Sequence, residues 1–155
     1  MGRINRLHHI GMSVPSLDEA RAFYVGLLGF TELGAGDFDR DPEVDTIMGL
    51  KGAVGTAAFL QNSDCMLELF EFAAPEQLEA QDKRRPVNLH GITHICLDVT
   101  DVLGLQARLK GAGMDFHSDP VDKAGVRTCY GRDPFGNVIE LQEIVEADPL
   151  TGEPK

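Results

Sequence analysis

The two halves of this 155-residue chain repeat each other, and this internal repeat limits the possible folds more than any other feature. Residues 7–14 (LHHIGMSV) resemble residues 92–99 (ITHICLDV), and residues 66–72 (MLELFEF) resemble residues 138–144 (VIELQEI). In each half the segment with a histidine comes first and the segment with a glutamate comes last. The sequence therefore predicts two copies of one supersecondary unit.

Each half carries a helix signal between its two matching segments. Ser16 and Glu19 form a capping-box pattern, and Gly29 ends the apolar run that follows. In the second half Asp101 is the expected helix cap. Apolar residues at helical spacing are Leu17, Ala20, Tyr24 and Leu27 in the first half and Val102, Leu105 and Leu109 in the second.

The remaining segments predict strands, turns and connections. Further strands are expected near residues 55–60 and 127–130, and residues 133–137 (DPFGN) predict a turn. The first half is longer than the second, and we expect the excess in a loop-like stretch around residues 37–49. The predicted organisation is a single domain, residues 1–155, with a first module at about 4–74, a linker at 75–90, a second module at about 91–146 and a frayed tail at 147–155.

Alternation along the four repeated strands separates an aliphatic side from a polar side. The aliphatic side chains are Ile10, Met12, Val14, Leu67, Leu69, Ile95, Leu97, Val99, Ile139 and Leu141. The opposite side carries His9, Glu68, His94 and Glu140. One side is suited to packing beneath a helix, and the other is free for chemistry.

Two imidazoles and two carboxylates are ligands that suit one divalent metal ion: zinc, nickel, cobalt, manganese or iron. A single strand histidine or glutamate is more often an ordinary polar residue. Here both types recur at matching positions of a repeat, which favours a metal site made by His9, Glu68, His94 and Glu140. On a six-coordinate ion, four ligands leave two positions for water or substrate.

The other histidines and glutamates nearby are interpreted differently. By alternation His8 points to the packed side, and His90 and His117 have no matching partner, so all three are expected to be structural or surface residues. Glu71 and Glu143 are excluded as ligands because they lie three positions from Glu68 and Glu140, and an odd spacing puts them on the opposite side of the strand.

Charge and composition exclude several classes of partner. A net charge of −11 argues against nucleic acid, and the basic cluster at residues 83–85 is interpreted as a solvated linker. No apolar run approaches the roughly 20 residues that span a bilayer.

The N-terminus lacks the features of a signal peptide, and three widely spaced cysteines suit a reducing compartment. The expected location is the cytoplasm.

Five segments of the chain resemble the vicinal oxygen chelate superfamily, which includes glyoxalase I, methylmalonyl-CoA epimerase, extradiol dioxygenases and fosfomycin- or bleomycin-resistance proteins. They are residues 9–14, 22–30, 67–69, 93–95 and 132–141. The resemblance covers residues 4–146. It implies an α+β fold in which two βαβββ modules form a curled mixed sheet around a metal cup.

The resemblance also implies a site and a chemistry. In glyoxalase I and the epimerase, the first and last strand of each module supply the metal ligands, at positions that match His9, Glu68, His94 and Glu140. The implied reaction is proton transfer through a metal-stabilised enolate, on a small substrate with two neighbouring oxygens. Glu140 matches the ligand that also acts as the base in glyoxalase I. The resemblance further implies a homodimer, which would cover exposed sheet edges.

Three functions stay open at this point. The first is a metal-dependent isomerase or lyase, although residues 55–60 lack the further glutamate that the epimerase carries on its third strand. The second is an Fe(II) ring-cleaving dioxygenase, which Tyr130 would favour and Glu68 argues against. The third is a non-catalytic drug-binding resistance protein, which the complete ligand set argues against.

Overall fold

A computed structural model of the chain describes residues 2–78 and 84–154. It divides into two compact units, residues 1–79 and 80–155. Each unit has a first strand, a helix and then the remaining strands of a mixed sheet, so the predicted α+β class and the two βαβββ modules are confirmed. The single domain and its module boundaries stay predictions.

The first unit contains one four-stranded sheet. Its elements are β1 (Ile10–Ser13), α1 (Leu17–Arg21, continued by a π-helical segment, Ala22–Leu27), β2 (Thr31–Asp39), α2 (Pro42–Met48), β3 (Val54–Asn62) and β4 (Cys65–Ala74). The strand order is β1-β4-β3-β2. Strands β1 and β4 are parallel and the other pairs are antiparallel, so the first and last strands of the module lie side by side.

The second unit has the same order of strands with one interruption. Its elements are β5 (Ile95–Asp98), α3 (Val102–Gly111), β6 (Asp115–Phe116), β7 (Val121–Lys123), β8 (Val126–Arg132) and β9 (Val138–Ile144). The order is β5-β9-β8-β6, and β7 also pairs with β8. Strand β5 runs parallel to β9. Two short strands therefore stand where the first unit has the long strand β2.

The prediction that residues 37–49 form a loop-like stretch was wrong. It holds the end of β2 and helix α2. Asp41 caps this helix by accepting hydrogen bonds from the backbone N–H groups of Glu43 and Val44, and Gly49 ends it with a φ of 67°. The helix has only seven residues, none of them buried, so no apolar periodicity marks it in the sequence.

The aliphatic side of the repeated strands forms the core of each unit. In the first unit Leu67 and Leu69 are fully buried on β4, and in the second Ile139 and Leu141 are buried on β9. The residues paired with Leu67 and Ile139 are Ile10 and Ile95 on the parallel neighbours. Alternation along these strands thus predicted the packed side correctly.

Both predicted helix caps are confirmed, and each helix start has a second acceptor. The Ser16 side chain accepts from the Glu19 backbone N–H at 3.3 Å, and that of Asp101 accepts from Gly104 at 3.1 Å. Glu71 on β4 accepts from the backbone N–H of Leu17 at 2.7 Å. Its counterpart on β9, Glu143, accepts hydrogen bonds from the backbone N–H groups at the start of α3. The two glutamates excluded as metal ligands therefore join each sheet to its helix.

We expect Glu71→Ala to destabilise the chain by about 1–2 kcal/mol, because the part-buried N–H of Leu17 loses its acceptor. Glu71→Gln keeps an acceptor oxygen and should cost less. Urea unfolding at fixed pH measures both changes. If Glu71→Ala instead lowered metal content with unchanged stability, the exclusion of Glu71 from the metal site would be wrong.

The turn predicted at residues 133–137 is confirmed, whereas the expected fraying of the tail was wrong. One Asp133 carboxylate oxygen accepts from the backbone N–H groups of Phe135 and Asn137. In the tail, Ala147 forms a β-bridge with Pro154, so its described part folds back on itself. Backbone hydrogen bonds across a local turn give this segment order that composition does not indicate.

Part of the predicted linker, residues 79–83, lies outside the described residues, and Lys83 of the basic cluster falls within it. At its start Gln77 donates to the hydroxyl of Ser13 and to the carbonyl of Val14. None of the helices in the described ranges is long and apolar enough to cross a membrane.

Candidate metal centre

The first unit brings His9 and Glu68 together. His9 directly precedes β1, and Glu68 lies on β4 opposite Gly11 of β1. The Nε2 atom of His9 is 3.0 Å from Oε2 of Glu68. The Phe59 ring packs edge-on against His9, with ring centroids 6.0 Å apart. The Glu68 side chain is 17% exposed, so the first pair (His9 and Glu68) has its carboxylate largely withdrawn from water.

The second unit repeats this arrangement with His94 and Glu140. His94 directly precedes β5, and Glu140 lies on β9 opposite Cys96 of β5. Again Nε2 of the histidine is 3.0 Å from Oε2 of the glutamate, whose side chain is 12% exposed. Tyr130 occupies the place of Phe59 and lies 4.8 Å from the His94 ring. The second pair (His94 and Glu140) thus preserves the repeat at the level of side-chain contacts.

Each histidine has a partner for its second ring nitrogen. Nδ1 of His9 lies 2.8 Å from Nδ1 of His8, and Nδ1 of His94 lies 2.8 Å from the hydroxyl of Thr93. Contacts of this kind orient a metal-binding imidazole and select its tautomer. Both partners directly precede the histidines, a sequence signal that was available and missed.

The placement of His8 on the packed side was wrong. It is exposed, because β1 begins only at Ile10 and strand alternation does not extend back to residue 8. Its expected status as a structural or surface residue agrees with this exposure. His90 and His117 are also exposed, and neither approaches the two pairs through a described side-chain hydrogen bond.

The Glu140 carboxylate has a more polar environment than Glu68. The hydroxyl of Thr128 donates to Oε1 of Glu140 at 2.7 Å. Although Cys96 as a residue is exposed, desolvation of its thiol raises the pKa to about 12, and the Glu140 charge adds to this. Desolvation followed by the Glu140 charge also raises the pKa of Tyr130. Thiol and phenol therefore stay protonated near pH 7 and lie beside Glu140 as neutral groups.

The donor atoms of each pair fit a divalent metal. Imidazole nitrogens and carboxylate oxygens bind such ions at about 2.0–2.2 Å, so two ligands at right angles around one ion lie about 3 Å apart. The separation in both pairs is 3.0 Å, which also suits a direct hydrogen bond. Within the described ranges, no group of three or more His, Cys, Asp or Glu side chains is close enough to hold a metal. The two pairs belong to different units, and their meeting at one ion stays a prediction.

The structure thus defines a protein with two copies of one βαβββ module and a His–Glu pair in each copy. The chain belongs to the Glyoxalase/Bleomycin resistance protein/Dioxygenase superfamily, whose family model matches residues 6–141. This membership confirms the resemblance drawn from the sequence.

Two relatives of the chain are epimerases. An ethylmalonyl-CoA/methylmalonyl-CoA epimerase from Cereibacter sphaeroides is 29% identical, covering 91% of this chain and 99% of the relative. A 2-epi-5-epi-valiolone epimerase from an Actinomyces species is 28% identical, covering 93% of this chain and 82% of the relative. These relatives support an enzyme with an isomerase-type or related function.

Solved structures share the fold. A glyoxalase family protein from Bacillus cereus superposes with a TM-score of 0.83 at 24% identity, covering 92% of this chain and 95% of the other. The fosfomycin resistance protein FosX from Listeria monocytogenes, complexed with Mn(II) and sulfate, has a TM-score of 0.61 at 17% identity, covering 91% of this chain and 93% of the other. These likenesses confirm the fold of the chain.

Proposed function

We propose that the chain is a metal-dependent isomerase or lyase that moves a proton at a carbon next to a carbonyl group. The observation that carries the proposal is the repeated His–Glu pair, with the same 3.0 Å separation in both units. The epimerase relatives support this choice of reaction class.

His9, Glu68, His94 and Glu140 would together hold one divalent ion per chain. A bound ion would supply Lewis-acid polarisation of a substrate that carries two neighbouring oxygens. Thr93 and His8 contact the Nδ1 atoms of the two histidines, which leaves both Nε2 atoms directed at the carboxylates. The chain's own contribution is thus an oriented set of two nitrogens and two carboxylates.

Glu140 is the proposed base. Strand β3 pairs with β4, the strand that carries Glu68. Residues 55–60 of β3 contain no ionisable side chain that could take a proton. Protonated side chains lie opposite Glu140 on both neighbouring strands, Cys96 on β5 and Tyr130 on β8. These neutral groups lie beside the carboxylate that would accept a proton from the substrate.

The proposed substrate class is a small carbonyl compound whose adjacent oxygens can bind as a pair. The relative's name provides a first probe, methylmalonyl-CoA, whose reacting acyl part is small and has one carbon flanked by a thioester and a carboxylate. Metal-loaded protein in D2O should exchange the proton on that carbon, followed by NMR. Chelator-treated protein is the control. Equal rates with and without metal would refute the metal-dependent proton transfer.

A ring-cleaving dioxygenase is the second candidate, because the Tyr130 phenol lies against the His94 ring. Oxygen uptake with a catechol, in Fe(II)-loaded protein, would identify it. The third candidate, a drug-sequestering protein, would bind its ligand without proton exchange or oxygen uptake.

The proposed location of the protein is the cytoplasm.

We propose that the functional unit is a homodimer. The edge strands of the first sheet are β1 and β2, and those of the second include β5 and β6, so among residues 2–78 and 84–154 each sheet ends in strands that pair on one side only. Sedimentation at micromolar concentration should give twice the chain mass of 16.9 kDa. A single species of the chain mass would contradict the dimer.

A further inference from the structure

The hydroxyl of Thr128 donates to the glutamate of the second His–Glu pair and has no counterpart in the first. On β8, Thr128 lies opposite Gln142, two positions beyond Glu140. On β3, Ala57 lies opposite Phe70, two positions beyond Glu68. Thr128 and Ala57 therefore occupy equivalent places in the two units, and the diagonal position on an antiparallel neighbour is within reach of the glutamate.

The two oxygens of Glu140 have separate partners. Oε1 accepts the hydrogen bond of Thr128 at 2.7 Å, and Oε2 lies 3.0 Å from Nε2 of His94. The methyl group of Ala57 cannot donate a hydrogen bond. Across residues 2–78 and 84–154, the Glu68 carboxylate has no hydrogen bond or ion pair with another side chain except the contact with His9. One glutamate is therefore held at both oxygens and the other at one.

We propose that Thr128 is a positioning residue that fixes the Glu140 carboxylate and makes Glu140, rather than Glu68, the group that moves the proton. The inference rests on the proposed function and deepens it. A hydroxyl that donates to Oε1 stops rotation of the carboxylate and leaves Oε2 directed toward the His94 side. Catalytic groups depend on such orientation, because small displacements of a base slow proton transfer.

Three variants separate the hydroxyl from the shape of the side chain. Thr128→Val keeps the shape and removes the donor, whereas Thr128→Ser keeps the donor. Thr56→Val is the matched control, because the Thr56 hydroxyl on β3 also donates to a carboxylate, that of Asp37. Circular dichroism and urea unfolding establish that each variant is folded.

The first measurement is metal affinity by competition with a chromogenic chelator, which does not depend on turnover. Loss of an outer contact to a metal ligand typically weakens binding by about 10- to 100-fold. We expect a loss of this size in Thr128→Val, near wild-type affinity in Thr128→Ser, and no change in Thr56→Val.

The second measurement is proton exchange at saturating metal, with methylmalonyl-CoA as the probe. Thr128→Val should lower kcat about tenfold or more with little change in KM, and Thr128→Ser should restore it. Wild-type affinity and kcat in Thr128→Val would overturn the inference, as would equal losses in Thr128→Val and Thr128→Ser. Wild-type protein that binds metal without exchange refutes the proposed reaction and, with it, the proton-transfer role of Glu140, whereas the affinity measurement still decides whether Thr128 fixes the Glu140 carboxylate. Wild-type protein that binds no metal refutes both.

Discussion

His94→Ala should release most of the bound divalent metal and leave the chain folded. The substitution removes one of four proposed ligands, and outer contacts alone are worth about 10- to 100-fold in affinity, so the loss should be at least about 100-fold. His94 precedes β5, and its side chain is 28% exposed, so the aliphatic core of the second unit is untouched. Elemental analysis after gel filtration measures the metal per chain.

The control for this experiment is His90→Ala. His90 is exposed and is not a proposed ligand, so its removal should leave the metal content unchanged. Full metal in His94→Ala would contradict the four-ligand site. Loss of metal in both variants would show that histidine content in general, and not the second pair, governs binding.

Glu140→Gln should retain appreciable metal but lose at least about 100-fold in turnover, the usual scale for removal of a general base. The amide can still offer an oxygen to a metal, but it cannot accept the substrate proton. Solvent-deuterium exchange at the carbon next to the carbonyl group, followed by NMR in the variant and the wild type, measures the effect.

Glu68→Gln is the matched control, since Glu68 holds the equivalent place in the first unit. We expect a smaller fall in turnover for this variant. If Glu140→Gln exchanged as fast as wild type, the base would lie elsewhere. If Glu68→Gln were the slower variant, the roles of the two glutamates would be reversed.

Much of the fold could be predicted from the sequence, because the relevant signals are local. Alternation marks the buried residues of β4 and β9, and Ser16 and Asp101 cap the helices that the sequence predicts. Helix α2 was missed because a seven-residue helix without buried side chains has no apolar period to detect. His8 was misplaced because strand alternation was extended beyond the first residue of β1.

The candidate site was predictable only in part. The repeat and the alternation identified His9, Glu68, His94 and Glu140, and the structure brings these residues together as two pairs within their own units. The contacts around the pairs join residues that are distant in the chain. Nothing in the local sequence indicates that Thr128 reaches Glu140 or that Glu71 reaches the start of α1, because these contacts depend on strand register.

The sequence by itself determined the repeated module and its polar side. An internal repeat and a period of two can be identified along the chain without knowing which strands pair. Only the tertiary structure decided which side chains meet. The pairing of β1 with β4 and of β5 with β9 sets each histidine beside its glutamate. The register of β8 then places a hydroxyl against Glu140, while that of β3 places a methyl group at the equivalent position beside Glu68. A shift of one residue would turn these side chains to the other face of the sheet, so long-range strand pairing creates the difference between the two glutamates.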